Sequence, residues 1–132
     1  MPATFVLVHG AYHGGWCWSR VTGRLRAAGH AVHVLTHTGS GERAHLRSNT
    51  LTLDTYVQDA LALLEAENLR DVVMVGHSYG GETISGLAER QPQRLRHLVY
   101  LDAILPRTGV SMLSTMLTPC LLYTSPSPRD RG

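Results

Sequence analysis

Val75-Gly76-His77-Ser78-Tyr79-Gly80-Gly81 is the stretch that decides how this chain reads. A run from Asp71 to Val75, apolar after its first residue, precedes it, and a helical pattern from Gly81 to Arg90 follows. Strand, Gly-x-Ser-x-Gly, helix is the context in which that motif becomes a nucleophile elbow. The turn is so tight that the serine takes a strained backbone conformation. Gly76 and Gly80 are required because a Cβ at either position collides with the opposing backbone. The Ser78 hydroxyl is then raised at the carboxyl end of a strand, and the next helix aims its first N–H groups at the same point. The alternative, a Gly/Ser turn without chemistry, leaves the flanking strand and helix unexplained.

A second stretch supplies what the first lacks. Thr4-Phe5-Val6-Leu7-Val8 suits a buried parallel strand and runs into His9-Gly10-Ala11-Tyr12-His13-Gly14-Gly15-Trp16. A Gly- and His-rich loop directly after a strand fits the other half of an oxyanion hole. By position, the two donors are the backbone N–H groups of Ala11 and Tyr79. Both are expected to converge on a point roughly 3 Å away, near the Ser78 hydroxyl, and losing one costs about 3–4 kcal/mol of transition-state stabilisation. His9 and His13 are expected to hydrogen-bond backbone and hold the loop. His77, in so sharp a turn, is expected to point away from the Ser78 side chain. Tyr12, Trp16 and Tyr79 suggest an apolar or aromatic pocket lining, with core packing an equal alternative for Trp16.

The rest of the chain alternates strand and helix. Strands are expected at Phe5–Val8, Ala31–Leu35, Val72–Val75 and Leu98–Leu101. Helices are expected at Gly15–Ala28, with Trp18, Val21 and Leu25 on the inner face, at Thr52–Glu67 and at Gly81–Arg90. Gly29 closes the first, Thr52 caps the second and Pro92 stops the third. His37–Thr50 reads as a loop. Strands separated by helices imply parallel pairing through right-handed crossovers, so the fold class is α/β, a parallel sheet with flanking helices. Ligands of such sheets bind beyond the carboxyl ends of the strands, where His9–Tyr12, Gly39–Arg43, Ser78–Tyr79 and Asp102 all fall.

Composition sets limits. The 132 residues suit one domain, and a formal charge of +2 is mild. All twelve basic residues are arginine, and the cluster Arg90, Arg94, Arg96 flanks a helix end, where cations favour the dipole, so no nucleic-acid partner is expected. The two cysteines, Cys17 and Cys120, make no disulfide framework, which suits a reducing compartment. Cys17 reads as a small buried apolar group. The amino terminus enters a strand at once, with no signal sequence and no membrane span, so a cytoplasmic location without a membrane partner is expected.

Four blocks resemble a known family: Phe5 to Trp18 (FVLVHGAYHGGWCW), Thr38 to Leu46 (TGSGERAHL), Val75 to Gly81 (VGHSYGG) and Val99 to Pro106 (VYLDAILP). Together they are similar to the α/β-hydrolase superfamily, in the branch of plant methylesterases, pyrethroid-hydrolase-like bacterial esterases and hydroxynitrile lyases. The resemblance runs over about residues 4–111. It implies a Ser-His-acid triad with Ser78 as nucleophile, hydrolysis of a small-molecule carboxylic ester, no cofactor and no metal. The lyases of this branch carry Thr where this chain has Gly10, which favours the esterase. A non-catalytic or signalling small-molecule binder on the same scaffold, and a hydroxynitrile-lyase-like enzyme, stay open as alternatives.

Cys120 to Asp130 (CLLYTSPSPRD) breaks every preceding pattern. Read back into codons, it resembles a transposase adapter from a sequencing library, and a natural Ser/Pro-rich tail is the alternative. The expected division is therefore 1–118, the N-terminal half of an α/β-hydrolase fold, and 119–132, a non-native disordered tail. Chain order in this fold is Ser, then acid, then His, so the acid and base are expected beyond the chain as written. Asp102 is the nearby substitute for the acid, against a plainer role in bracing the turn into Ala103.

Overall fold

The computed structural model describes residues 2–11 and 13–103; the expected tail, 119–132, lies outside them. The elements are β1 (Thr4–Val8), α1 (Ser19–Ala27), β2 (Ala31–Leu35), α2 (Leu53–Ala66), β3 (Val72–His77), α3 (Gly80–Arg90) and β4 (Leu95–Leu101). The strands form one sheet in the order β2-β1-β3-β4, and every pairing is parallel. Leu7 of β1 sits opposite Val34 on one side and Val75 on the other. Because β1 has a strand on each flank and helices over both faces, Val6, Leu7 and Val8 are all buried.

Alternation along β1 splits the core into two layers. Val6 and Val8 join Met74 of β3 under α2 and α3, packed against Val57, Ala60, Leu64, Ile84 and Leu87. Leu7 turns the other way, onto Trp18 and Val32 beneath α1. Leu101, the last residue of β4, is 48% exposed, and β4 is one of the two sheet edges among the described residues, β2 being the other.

Helix boundaries show how local chemistry sets the elements. Thr52 caps α2: its hydroxyl accepts from the Thr55 N–H, and the Thr55 hydroxyl accepts from the Thr52 N–H. Gly29 takes φ +94° just past α1, a conformation that closes the helix without a Cβ penalty. Arg94 donates to the carbonyls of Leu64, in the last turn of α2, and of Leu69 just beyond it, rather than to the end of the helix that the arginine cluster flanks in sequence.

The first helix departs from its sequence reading. Gly15–Trp18 forms a 3-10 turn and only Ser19–Ala27 is α-helical. A 3-10 turn advances roughly 120° per residue against about 100° in an α-helix, which rotates the inner face by part of a position. Thr22 is buried where Val21 was expected, and Val21 is 41% exposed. The expected loop 37–50 also contains a 3-10 segment, Gly41–Leu46. β3 runs on to His77, and β4 begins at Leu95, three residues before the expected start at Leu98.

Candidate active site

The site is assembled where β1, β3 and β4 end. Ser78 follows β3 directly and has φ +54°, the left-handed region that a side chain rarely enters. It is held there by its neighbours. The Ser78 N–H donates to the Leu101 carbonyl at 3.4 Å, and its carbonyl accepts from the Gly81 N–H at 3.0 Å. A Cβ on Gly76 would lie 2.7 Å from the Gly80 carbonyl oxygen. One on Gly80 would lie 2.6 Å from the Val8 carbonyl oxygen and 2.9 Å from that of His9. The two glycines let α3 start against the end of β1, which is the physical requirement read from the motif.

The loop after β1 reaches the same point. A Cβ on Gly10 would be 2.9 Å from the Ser78 Cβ, so this loop lies against the serine. Neither the Ala11 nor the Tyr79 N–H donates a hydrogen bond among the described residues. Tyr12 lies outside them.

The histidines near Ser78 are occupied elsewhere. His9 accepts from the His37 N–H at Nε2 (2.9 Å), so its proton is on Nδ1, which donates to the Gly10 carbonyl at 2.7 Å. Burial lowers its pKa. His13 Nδ1 donates to the Ala11 carbonyl at 2.9 Å. Both hold the loop, as expected. The His77 ring stands edge-on to Trp18 at 6.3 Å and to His13 at 6.2 Å. All eight histidines lie in the described residues, and no hydrogen bond joins any of them to the Ser78 hydroxyl there. Asp102 sits past the end of β4, exposed, with φ +45°. Cys17 is half-buried rather than fully enclosed, and burial raises its thiol pKa.

A polar network holds the loop after β2. The Asp59 carboxylate on α2 accepts from the Thr38 N–H at 2.7 Å and the Thr38 hydroxyl at 2.6 Å, and Arg43 lies 3.6 Å away. The Thr36 hydroxyl accepts from the Gly15 N–H at 3.0 Å and donates to Glu42 at 2.9 Å. A hydrogen bond from its own backbone N–H, and then the one from Thr36, holds the Glu42 carboxyl below the usual range. The loops after β1 and β2 are thereby joined, with a Cβ on Gly14 only 2.8 Å from the Gly41 Cα.

Between them opens a pocket of about 590 Å³. Ala11, His13, His37, Arg47, Tyr56 and Tyr79 are among its walls. Tyr79 takes the lining role expected of it, whereas Trp16 is 65% exposed and neither lines this pocket nor packs in the core. The 3-10 turn at Gly15–Trp18 turns Trp18 inward and leaves Trp16 outside. His37 and Tyr56 were missed. Tyr56 stands one residue before Val57 on the inner side of α2, near the strand ends, and that placement was the available signal. Burial, with neighbouring Glu82 and Tyr56, pushes the Tyr79 phenol up to about 12.

His37 is 3% exposed and bonded through Nε2 to the Thr83 hydroxyl at 3.0 Å. Burial first, then the neighbouring His9 and Arg43, pulls its pKa from 6.5 to about 3. The unfolded chain therefore binds a proton below 6.5 that the folded chain refuses until about 3. Stability from this group is present above 6.5 and is lost as pH falls through that window. The unfolding free energy is expected to drop between pH 7 and pH 5, by up to about 1.4 kcal/mol per pH unit for one such group, and denaturant midpoints to fall with it. His37→Gln should flatten the slope; a wild-type midpoint independent of pH over that range would exclude a buried neutral imidazole.

A parallel sheet with a left-handed serine at the β3–α3 turn, and a glycine loop laid against it, defines an α/β-hydrolase arrangement. The chain belongs to the alpha/beta hydrolase family, whose model matches residues 5–131. It is 53% identical over 114 residues to a carbendazim-hydrolysing esterase of Nocardioides sp. (strain SG-4G), covering 86% of this chain and 47% of the relative. It is 37% identical over 106 residues to methylesterase 1 of Arabidopsis thaliana, covering 79% of this chain and 40% of the relative. Among solved structures, an extracellular alpha/beta-hydrolase from a Paenibacillus species superposes with a TM-score of 0.77 at 30% identity, over 83% of this chain and 44% of that one. The chain thus spans less than half the length of each of these relatives. The fold and the methylesterase-like branch agree with the resemblance seen in the sequence. Among the described residues, no helix is long and apolar enough to cross a membrane.

Proposed function

We propose that Ser78 is the nucleophile of a carboxylic-ester hydrolase working through an acyl-enzyme. The Ser78 oxygen attacks the ester carbonyl while a base takes its proton, and the alcohol leaves with that proton. Water then attacks the acyl group, releases the acid and returns the proton to the serine. The N–H groups of Ala11 and Tyr79 hold the oxyanion in both halves. The observation that carries this reading is the left-handed Ser78, wedged between strand ends with the Gly10 loop against it. The chain order of this fold puts the acid and then the base after the serine, and among the described residues no histidine is bonded to Ser78. On this reading 1–118 is the first part of the hydrolase domain and 119–132 a foreign tail. Gly10 supports ester hydrolysis over the lyase alternative, since the lyases that the chain resembles carry Thr at that position. The substrate is a small ester, and with no disulfide framework the setting is cytoplasmic.

The test is labelling by a fluorophosphonate probe on a chain extended to the length of its relatives. An activated serine labels and Ser78→Ala does not. An extended, folded chain that fails to label would mark a non-catalytic binder on this scaffold.

A further inference from the structure

The two backbone donors proposed for the oxyanion sit on different segments. Tyr79 stands at the start of α3, and Ala11 lies in the loop after β1. Their spacing is therefore set by tertiary structure. Contact limits it from one side only. A Cβ on Gly80 would lie 2.6 Å from the Val8 carbonyl oxygen and 2.9 Å from that of His9, so α3 already touches the start of the loop. Repulsion stops the two from closing further and does nothing to stop them from separating.

A buried chain of hydrogen bonds supplies the opposing restraint. Thr83 lies one turn beyond Tyr79 on α3, and its hydroxyl is bonded to His37 Nε2 at 3.0 Å. The His37 N–H donates to His9 Nε2 at 2.9 Å, and His9 Nδ1 donates to the Gly10 carbonyl at 2.7 Å. Thr83, His37 and His9 are all buried, so water does not replace a broken link freely. The last link matters most. The Gly10 carbonyl and the Ala11 N–H belong to one planar peptide unit, so holding the oxygen fixes the direction of the N–H. The Gly10 carbonyl also accepts from the His13 N–H at 3.3 Å, but that bond stays within the loop and moves with it.

We propose that Thr83 and His37 are positioning residues for the oxyanion hole: through His9 they tie the Gly10–Ala11 peptide to α3 and so fix the spacing and direction of the Ala11 and Tyr79 donors. The effect on turnover rests on the hydrolase reading. The tie itself does not.

Thr83 is the place to cut the chain, because it is fully buried and is not among the pocket walls, out of a substrate's reach. Thr83→Val removes the hydroxyl at nearly constant shape, and Thr83→Ser keeps it; Thr83→Ala serves in place of Thr83→Val if valine prevents folding. Amide hydrogen exchange in the 132-residue chain, followed by NMR, reads the tie without turnover. Relative to the Leu7 N–H in β1, the His37 N–H is expected to exchange about tenfold faster in Thr83→Val, the scale of one lost buried hydrogen bond, and at the wild-type rate in Thr83→Ser. In the chain extended to its relatives' length, kcat on a nitrophenyl ester is expected to fall about tenfold in Thr83→Val with KM unchanged, less than the roughly 10²–10³ lost with a whole donor. Thr83→Ser should restore it. A hydrogen bond serving stability alone would lower the denaturant midpoint and leave kcat per folded molecule as it was. Unchanged relative exchange at His37, an unchanged kcat in folded Thr83→Val, or a loss that Thr83→Ser fails to restore overturns the proposal. An extended wild-type chain without turnover counts against the hydrolase reading instead, and the exchange rates then decide the tie by themselves.

Discussion

Ser78→Ala is expected to lower kcat on a short-chain nitrophenyl ester by about 10⁶-fold in a chain extended to its relatives' length, the scale of loss when a triad nucleophile is removed. The 132-residue chain itself is expected to show almost none of that turnover with Ser78 intact. An alcohol without a base keeps its proton at neutral pH and is a weak nucleophile. The oxyanion donors and binding alone leave about 10³–10⁴ over water. His9 cannot serve as it stands, because one ring nitrogen accepts from the His37 amide and the other donates to Gly10. His13 is tied to the Ala11 carbonyl. The comparison is the short and extended chains, each with and without Ser78→Ala. Turnover by the short chain near the extended rate, lost on Ser78→Ala, would place a base within these residues and return His9, His13 and Asp102 to catalytic candidacy.

Gly80→Ala is expected to destabilise the fold by about 3 kcal/mol, at the upper end of overpacking costs. The new methyl meets two carbonyl oxygens at 2.6 and 2.9 Å, and both belong to backbone at the end of β1, which is buried on every side. No side chain can rotate to make room, so α3 must move off the sheet and take the elbow with it. Gly23→Ala is the control. Gly23 lies inside α1 with nothing within 4 Å of a built Cβ, and alanine there should stabilise by roughly 0.5–1 kcal/mol. Denaturant midpoints with unchanged m-values measure both. A Gly80→Ala protein as stable as wild type would remove the close approach on which the site geometry rests.

Much of the site was legible because its constraints are local. Ser78 in a left-handed turn follows from Gly-x-Ser-x-Gly between a strand and a helix, since only a few residues fix that backbone. The roles of His9 and His13 also followed, because both bond to carbonyls within two residues of themselves. The pairing of two tyrosines in the pocket wall was not legible. Tyr56 and Tyr79 are far apart in sequence and meet only because α2 and α3 pack on the same face of the sheet.

The sequence by itself determined the alternation of strands and helices, the parallel sheet, the elbow and the glycines that permit it. These depend on periodicity, turn chemistry and excluded volume over short spans. Tertiary structure alone decided that Trp16 faces solvent, that Thr22 replaces Val21 in the core, and that Asp59 of α2 holds the loop after β2. Each of these turns on a rotation of part of one residue or on a contact between distant segments. Pattern along the chain does not carry that information, because the packing of one element against another selects the face that is buried.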